Sequence, residues 1–356
     1  MAKLEIWTSG AGVPRANVRQ AQRAEEMGFD GIVYVDSQNL SGDCYVAMAL
    51  AAKVTERIKL GTGVTNPFTR HPAVTASAIA TVQAESDGRA HLGIGRGDSA
   101  LAHLGYAPAS VGVLRRYLSK LQGYLRREDV PFEADGDVAK LGLAESPETS
   151  RIRWIRESLP KVPVDVAATG PKVIEAAALL ADQIMFAVGG DPARIRWGIE
   201  TAKAARRRAG LPEAMPFGAY VPVVCHPDVE LAQKIGEGGV SLFARFSSMY
   251  GSVVGPATND QRAVFERIHD AYDMTHHAQT GSQQASVIPN DFARQFAVLG
   301  DADHCVARLR ELVGLGLERL IIVGPSMGAD PSAASQAQEA FVTQVMPRLR
   351  SWASAR

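Results

Sequence analysis

The sequence predicts a (β/α)8 barrel, the α/β fold in which eight parallel strands alternate with eight helices. Short apolar runs alternate with amphipathic segments of helical period along nearly the whole chain, and eight such pairs fit into its 356 residues. An open doubly wound sheet is less suitable, because no helical second half is left over after the eighth pair. We therefore expect one barrel domain over residues 1–356, with insertions.

The eight predicted strands are residues 4–8, 31–36, 58–62, 91–95, 164–168, 184–188, 219–224 and 320–323. The predicted helices that follow them are residues 18–27, 44–54, 74–84, a region reaching the basic stretch 115–127, 173–181, 194–209, 229–246 and 333–349. Residues 128–162 and 249–300 do not fit the repeat. We expect them to be insertions that select substrate or contact another subunit, since long connections in a barrel often carry such functions.

The composition is that of a globular enzyme, with 46% hydrophobic and 21% charged residues. Lysine plus arginine and aspartate plus glutamate both total 38, so the chain has no net charge with which to attract nucleic acid or an anionic membrane. The first residues lack the apolar core of a signal peptide, and no apolar run approaches a membrane span. These features predict a cytoplasmic protein that acts on a small-molecule substrate.

A metal site is not expected. None of the eight histidines forms an H-x-H or H-x-x-x-H pair, and the adjacent His276 and His277 would point apart on a helix. Cys44, Cys225 and Cys305 are far apart in sequence, which favours neither a disulfide framework nor a thiolate metal site. We interpret them as buried thiols.

In a barrel of this class the functional face is formed by the residues that follow each strand. Here those residues are mostly small, as in the segments 61–66, 93–98, 168–171, 188–190 and 324–326. Such a rim suits a planar ring lying against the main chain and a phosphate bound at a helix N-terminus.

The most distinctive rim segment runs from Gly93 to Ser99, where glycine occupies every second position before the carboxylate of Asp98. Glycine is used where φ must be positive or where a ligand needs the space of a Cβ, and an acid beside it can handle a proton. The alternative is a tight strand-to-helix turn in which Asp98 caps the helix.

Three segments around this run carry a family resemblance. Residues 61–72 (GTGVTNPFTRHP), 75–81 (TASAIAT) and 88–98 (GRAHLGIGRGD) resemble the bacterial luciferase-like superfamily, and within it the enzymes similar to methylenetetrahydromethanopterin reductase that depend on the deazaflavin coenzyme F420. Residues 28–32 (GFDGI) and 168–172 (ATGPK) support the likeness. The resemblance implies a luciferase-like barrel, hydride transfer between C5 of the deazaflavin and a carbon of a small organic substrate, and a homodimer.

The resemblance also implies roles for particular residues. A non-proline cis peptide bond between Gly63 and Val64 would back the ring, and Thr65 and Asn66 would contact its edge. Asp98 and Asp36 match acids of the family and are the two catalytic candidates. The cofactor-binding candidates are Asp36, Gly63, Val64, Thr65, Asn66, Gly95, Gly97, Asp98, Ala168, Thr169, Gly170, Pro171, Val188, Gly189 and Gly190.

The candidates on the substrate side are Trp7, Tyr34, Arg70, His71 and Arg96. Simpler interpretations stay open for three of the polar candidates: Asp36 as a solvated loop carboxylate, His71 as the anchor of the turn before Pro72, and Arg96 as a surface arginine. FMN is the alternative cofactor, in a monooxygenase that uses a flavin hydroperoxide. The sequence also leaves open a catalytically silent flavin-binding barrel and a metal-dependent barrel hydrolase.

Overall fold

The computed structural model describes residues 3–132 and 138–355. Its strands are β1 (Glu5–Gly10), β2 (Gly31–Tyr34), β3 (Lys59–Thr62), β4 (Ala90–Ile94), β5 (Val130–Pro131), β6 (Thr149–Ser150), β7 (Val164–Ala168), β8 (Gln183–Phe186), β9 (Phe217–Cys225), β10 (Val298–Gly300) and β11 (Arg319–Val323). Its α-helices are α1 (Asn17–Glu26), α2 (Cys44–Ala52), α3 (Pro72–Glu85), α4 (Ser99–Ala102), α5 (Val111–Leu125), α6 (Pro171–Leu180), α7 (Pro192–Arg208), α8 (Val229–Arg245), α9 (Asn259–Asp270), α10 (Gln283–Ser286), α11 (Asn290–Phe296), α12 (Ala302–Gly314), α13 (Pro331–Ala340) and α14 (Met346–Ser354).

Eight of these strands close into a parallel barrel in the order β1, β2, β3, β4, β7, β8, β9, β11. Strand β11 closes the ring, because it pairs with β9 on one side and with β1 on the other, where Arg319 lies opposite Glu5. The predicted (β/α)8 fold is therefore confirmed, and each of the eight predicted strands overlaps a barrel strand. Strand β10 is an addition, which pairs with the far end of β9 outside the ring.

Local sequence explains where several helices begin. Asp191 and Asp330 each precede a proline, and each accepts a hydrogen bond from a backbone N–H of the first helical turn. An acidic N-cap followed by proline at the first helical position satisfies amides that have no partner within the helix. At the other end of the chain, the predicted helix 333–349 is interrupted by a π-helical turn, Phe341–Val345, between α13 and α14.

The two segments outside the repeat form local structure of their own. In the first, β5 and β6 pair antiparallel, with a 3₁₀ turn at Val138–Leu141 between them. Residues 133–137, which belong to the predicted insertion 128–162, lie outside the described residues. In the second, α9, α10 and α11 contact α8. Across the described residues no helix combines the length and the apolar character that crossing a membrane requires.

The barrel interior is filled by side chains around Trp7, which is fully buried with Val33, Met185 and Tyr220. The indole occupies so much of the lumen that glycine is needed opposite it. A Cβ on Gly31 would lie only 2.2 Å from the Trp7 ring. The lumen is therefore a packed core, as is usual for this fold.

The amino-terminal end of the lumen is closed by a network of four charged side chains and one histidine from five strands. Its members are Glu5, Lys59, His91, Asp165 and Arg319. Arg319 pairs with both carboxylates and lies over the Trp7 ring, 4.4 Å from the ring centroid. Burial opposes the charge on Asp165, but Arg319 and His91 outweigh burial and hold its pKa below the ordinary value. The network links opposite sides of the barrel through buried ion pairs.

Candidate active site

The chain forms a bulge after β3, at the carboxyl end of the barrel. The peptide bond between Gly63 and Val64 is cis, at the position that the family resemblance implied. Thr65 N donates to Gly93 O at 2.9 Å, and Gly95 N donates to Thr65 O at 2.9 Å, so the bulge stays paired with the β4 segment. Residues 63–66 are called the bulge below.

The glycines that follow in β4 and its loop make room for this bulge. A Cβ on Gly93 would lie 2.2 Å from the Thr62 carbonyl oxygen, and one on Gly95 would lie 3.2 Å from the Val64 side chain. Gly97 has φ +80°, a conformation that favours glycine. Contacts within the chain thus explain these three glycines, which sequence reasoning attributed to ligand approach or to a turn.

Asn66 supplies a buried donor at the end of the bulge. Its side chain is 1% exposed, and its Oδ1 accepts from Phe68 N and Thr69 N at 2.9 and 3.1 Å. Its Nδ2 has no hydrogen-bond partner within the described residues. An unpaired buried donor is costly, so this amide is suited to an acceptor on a bound molecule.

Asp36 lies beside the bulge and is only 2% exposed, which excludes the solvated loop carboxylate. Its Oδ2 accepts from Thr65 Oγ1 at 2.7 Å and from Arg70 Nη1 at 2.8 Å, and its Oδ1 accepts from Gln38 Nε2 at 2.7 Å. Arg70 also pairs with Asp43 at 2.6 Å. Burial opposes the charge on Arg70, but Asp36, Tyr45 and Cys44 together outweigh burial and raise its pKa. Asp36 thereby fixes Arg70 and the bulge in place.

Asp98 is the residue immediately before α4, but its side chain makes no capping hydrogen bond. It pairs instead with Arg245, in the last turn of α8. The Arg245 guanidinium lies over the Tyr272 ring at 4.6 Å, and Tyr272 Oη is hydrogen-bonded to His277 Nδ1 at 2.8 Å. Burial lowers the pKa of His277 to about 4, a shift that Asp98 opposes and Arg245 reinforces. The four side chains form one connected cluster, the Asp98 cluster.

Three members of the Asp98 cluster were missed by sequence reasoning. Arg245, Tyr272 and His277 come from the end of α8 and from the second insertion, at least 147 positions from Asp98. No local motif marks them, because their proximity to Asp98 is created only by closure of the barrel.

A segment after α8, residues 246–258, contacts Arg96 in the loop after β4 and Arg194 near the start of α7, and is called the strap. Arg194 on α7 anchors it: its Nη1 donates to Pro256 O at 2.7 Å, and its Nη2 donates to Val254 O at 2.7 Å and Ser247 Oγ at 2.9 Å. Arg194 is 1% exposed, and burial lowers its pKa to about 10. The strap is thus held by a buried cation.

The opposite side of the strap contacts the loop after β4. Arg96 donates to Tyr250 Oη and to Ala109 O, and its guanidinium lies 5.4 Å from the centre of the Tyr250 ring. Arg96 is therefore more than a free surface arginine, because it joins the glycine-rich loop to the strap.

The two loops predicted to bind phosphate differ in access. Residues 168–171 run from the last residue of β7 to the first residue of α6 and are partly exposed from Thr169 onward. Residues 188–190 are buried beneath α11: Gly190 N donates to Phe296 O at 2.6 Å, and a Cβ on Gly189 would lie 2.5 Å from the Phe296 ring. In this conformation only the first loop presents an open helix N-terminus to an anion.

The structure places three of the five substrate candidates away from this face. Trp7 points into the lumen and donates to Glu5 Oε2 at 3.0 Å, whereas Tyr34 points outward and donates to Asn17 O at 3.0 Å. Side chains alternate across a strand, so neither reaches the rim. His71 Nδ1 caps α3 by accepting a hydrogen bond from Ala73 N at 3.2 Å. His71 therefore anchors the turn before Pro72. Arg70 and Arg96 remain at the site.

Within the described ranges no group of three or more His, Cys, Asp or Glu side chains is arranged to hold a metal ion. Cys44, Cys225 and Cys305 are free and buried, which confirms the interpretation as buried thiols.

Comparison with known proteins decides the family. The family model described as luciferase-like monooxygenase matches residues 2–319. The chain belongs to this family. It is accordingly an oxidoreductase, like the relatives described next. The 5,10-methylenetetrahydromethanopterin reductase of Methanolobus tindarius is 27% identical over 311 residues, which cover 86% of this chain and 89% of that protein.

Solved structures of two luciferase-like family proteins share the fold. The coenzyme F420-dependent tetrahydromethanopterin reductase of Methanopyrus kandleri superposes with a TM-score of 0.74 at 22% identity, over 98% of this chain and 100% of that one. A type II Baeyer-Villiger monooxygenase of Pseudomonas putida, solved in complex with FMN, superposes with a TM-score of 0.64 at 16% identity, over 97% of this chain and 98% of that one.

Proposed function

We propose that the protein is an F420-dependent oxidoreductase that transfers a hydride between C5 of the deazaflavin and a carbon of a small organic substrate. The observation that carries the proposal is the unpartnered buried amide of Asn66, which lies at the end of the bulge. The similarity to the coenzyme F420-dependent tetrahydromethanopterin reductase of Methanopyrus kandleri supports the choice of cofactor.

Most of the predicted cofactor-binding segments fit a deazaflavin, and one does not. The bulge and the loop 95–98 would hold the ring, with Asn66 Nδ2 donating to an acceptor at its edge. Residues 168–171 would receive the phosphate, while residues 188–190 do not fit that role in the present conformation because Gly190 N is already paired. When bound, the deazaflavin supplies hydride donation or acceptance at C5, and the protein supplies orientation.

The protein's own contribution follows from the site. Asp98 is the group we propose to hold or move a proton, since its carboxylate is at the rim and pairs directly with Arg245. Asp36, whose oxygens have three protein donors, positions the bulge and Arg70. We propose that the strap limits the access of water to this face, which would protect a hydride from side reactions.

The alternative function is that of an FMN-dependent monooxygenase. The fold shared with the FMN-bound Pseudomonas putida protein favours this alternative. A fluorescence titration of the purified protein with F420 and with FMN separates the two. We expect saturable F420 binding at a Kd at least about tenfold below that for FMN, a difference of about 1.4 kcal/mol. Tight FMN binding accompanied by oxygen consumption would overturn the F420 proposal.

Four further points remain predictions of the sequence: a single barrel domain, a cytoplasmic location, a homodimer, and substrate selection by the two insertions.

A further inference from the structure

A cavity of about 380 Å³ lies outside the barrel wall between α1 and α13. Thr8 and Ile322 line it from the outer side of β1 and β11, whereas their neighbours Trp7 and Ile321 point into the lumen. The volume lies within the range of small-molecule sites, about 300–1,000 Å³. The bulge, the loop 95–98 and residues 168–171 contribute nothing to its lining.

The floor of this outer cavity is apolar. Phe29, Ile322 and Phe341 are each buried, and the rings of Phe29 and Phe341 are stacked with centroids 6.3 Å apart. Gly324 opens the upper end, since a Cβ there would meet no atom within 4 Å. The floor therefore suits the apolar body of a small molecule.

The walls carry polar groups that the protein does not use. Five polar side chains line the outer cavity and have no hydrogen-bond or ion-pair partner among residues 3–132 and 138–355. They are Thr8, Ser9, Arg23, Ser335 and Gln338. Arg23 is the one charged residue of the lining, and no carboxylate accompanies it. A single cation and several unused donors in the lining of one cavity, beside an apolar floor, are complementary to an anion.

We propose that the outer cavity binds a small organic acid, a monocarboxylate with an apolar body. The guanidinium of Arg23 matches a carboxylate with two parallel N–H donors, and the hydroxyl and amide groups supply the remaining hydrogen bonds. The apolar body rests on Phe29, Ile322 and Phe341. This site is separate from the carboxyl-end site and goes beyond the proposed function.

The test is a calorimetric titration of the full chain with benzoate and hexanoate, and with neutral benzamide as the matched comparison. We expect saturable binding of at least one carboxylate with a Kd of about 1 mM or below, and binding of benzamide at least about tenfold weaker. The variant R23Q should weaken carboxylate binding by at least about tenfold. The control R19Q, at an exposed arginine of the same helix outside the cavity, should stay within about twofold of the wild type.

Because Arg23 is exposed and has no protein partner, R23Q should fold with an unchanged thermal transition. A second variant, S335W, places an indole in the cavity from the exposed face of α13 and should abolish binding. The proposal is overturned if neither carboxylate binds, if R23Q binds as the wild type does, or if R245Q abolishes binding while R23Q does not.

Discussion

Asp98 and Arg245 are 147 positions apart in the chain, and their ion pair joins the loop after β4 to the end of α8. Both side chains are mostly buried, with 12% and 13% exposed. A partly buried, hydrogen-bonded ion pair should show a coupling energy of about 1.5–3 kcal/mol. We predict that value for a double-mutant cycle of D98N and R245Q, measured as the free energy of unfolding.

The matched control is the exposed pair Glu200 and Lys203 on α7, where a cycle of E200Q and K203M should give about 0.3–0.5 kcal/mol. Equal coupling at the two pairs would contradict the account of the Asp98 cluster.

His277 gives the site a pH dependence. Its pKa is about 4 when folded and 6.5 in its ordinary state, because burial disfavours the charged ring. The unfolded chain thus binds more protons between these values, so the stability contributed by neutral His277 is complete above pH 6.5 and is lost as the pH falls toward 4. Between about pH 7 and pH 5 the wild type should lose about 2 kcal/mol more than H277Q, measured by denaturant unfolding. Identical losses in the two proteins would refute the assignment.

At the scale of elements, the strap depends on one buried cation. The three hydrogen bonds of Arg194 cannot all be made by lysine, which lacks the planar fork. In R194K the strap should open more easily by about 2 kcal/mol, and chymotrypsin should cleave after Tyr250 about 30-fold faster. The control R196K changes an exposed arginine on the same helix and should cleave at the wild-type rate. Unchanged cleavage in R194K would show that the anchor is not needed.

The barrel elements were predictable from sequence because they carry strong patterns. Apolar runs with helical segments between them located all eight barrel strands. The added strand β10 was missed, because three residues within an insertion give no periodic signal. The π-helical turn at Phe341–Val345 was missed for a similar reason, since five residues are too few for their wider turn to change the helical pattern of the sequence.

The site was only partly predictable from sequence. The rim segments could be assigned because each follows a strand, and the resemblance indicated the position of the cis peptide bond. The Asp98 cluster and the Arg194 anchor depend on contacts between distant parts of the chain, so local sequence could not reveal them. Trp7 and Tyr34 were assigned to the substrate side, although strand alternation directs Trp7 into the lumen and Tyr34 into the helix layer.

For the whole molecule, closure of the barrel involves the charged network at its amino-terminal end. Arg319 connects Glu5 on β1 with Asp165 on β7, so R319M leaves the buried carboxylate of Asp165 and the half-buried one of Glu5 without this partner. We predict a loss of about 3–5 kcal/mol in the free energy of unfolding and a red-shifted emission from Trp7. The control R348M breaks an exposed pair with Asp303 and should cost less than about 1 kcal/mol. A stability loss in R319M no larger than in the control would contradict this role.

We propose two separate regions for small molecules: the carboxyl end of the barrel, beside the bulge, and the outer cavity between α1 and α13. The central claim concerns the first. A crystal structure of the protein with F420 tests it most directly. We predict the deazaflavin ring against Gly63 and Val64, with Asn66 Nδ2 within about 2.9 Å of a ring acceptor. A ring bound elsewhere, or Asn66 Nδ2 still without a partner in the complex, would contradict the account.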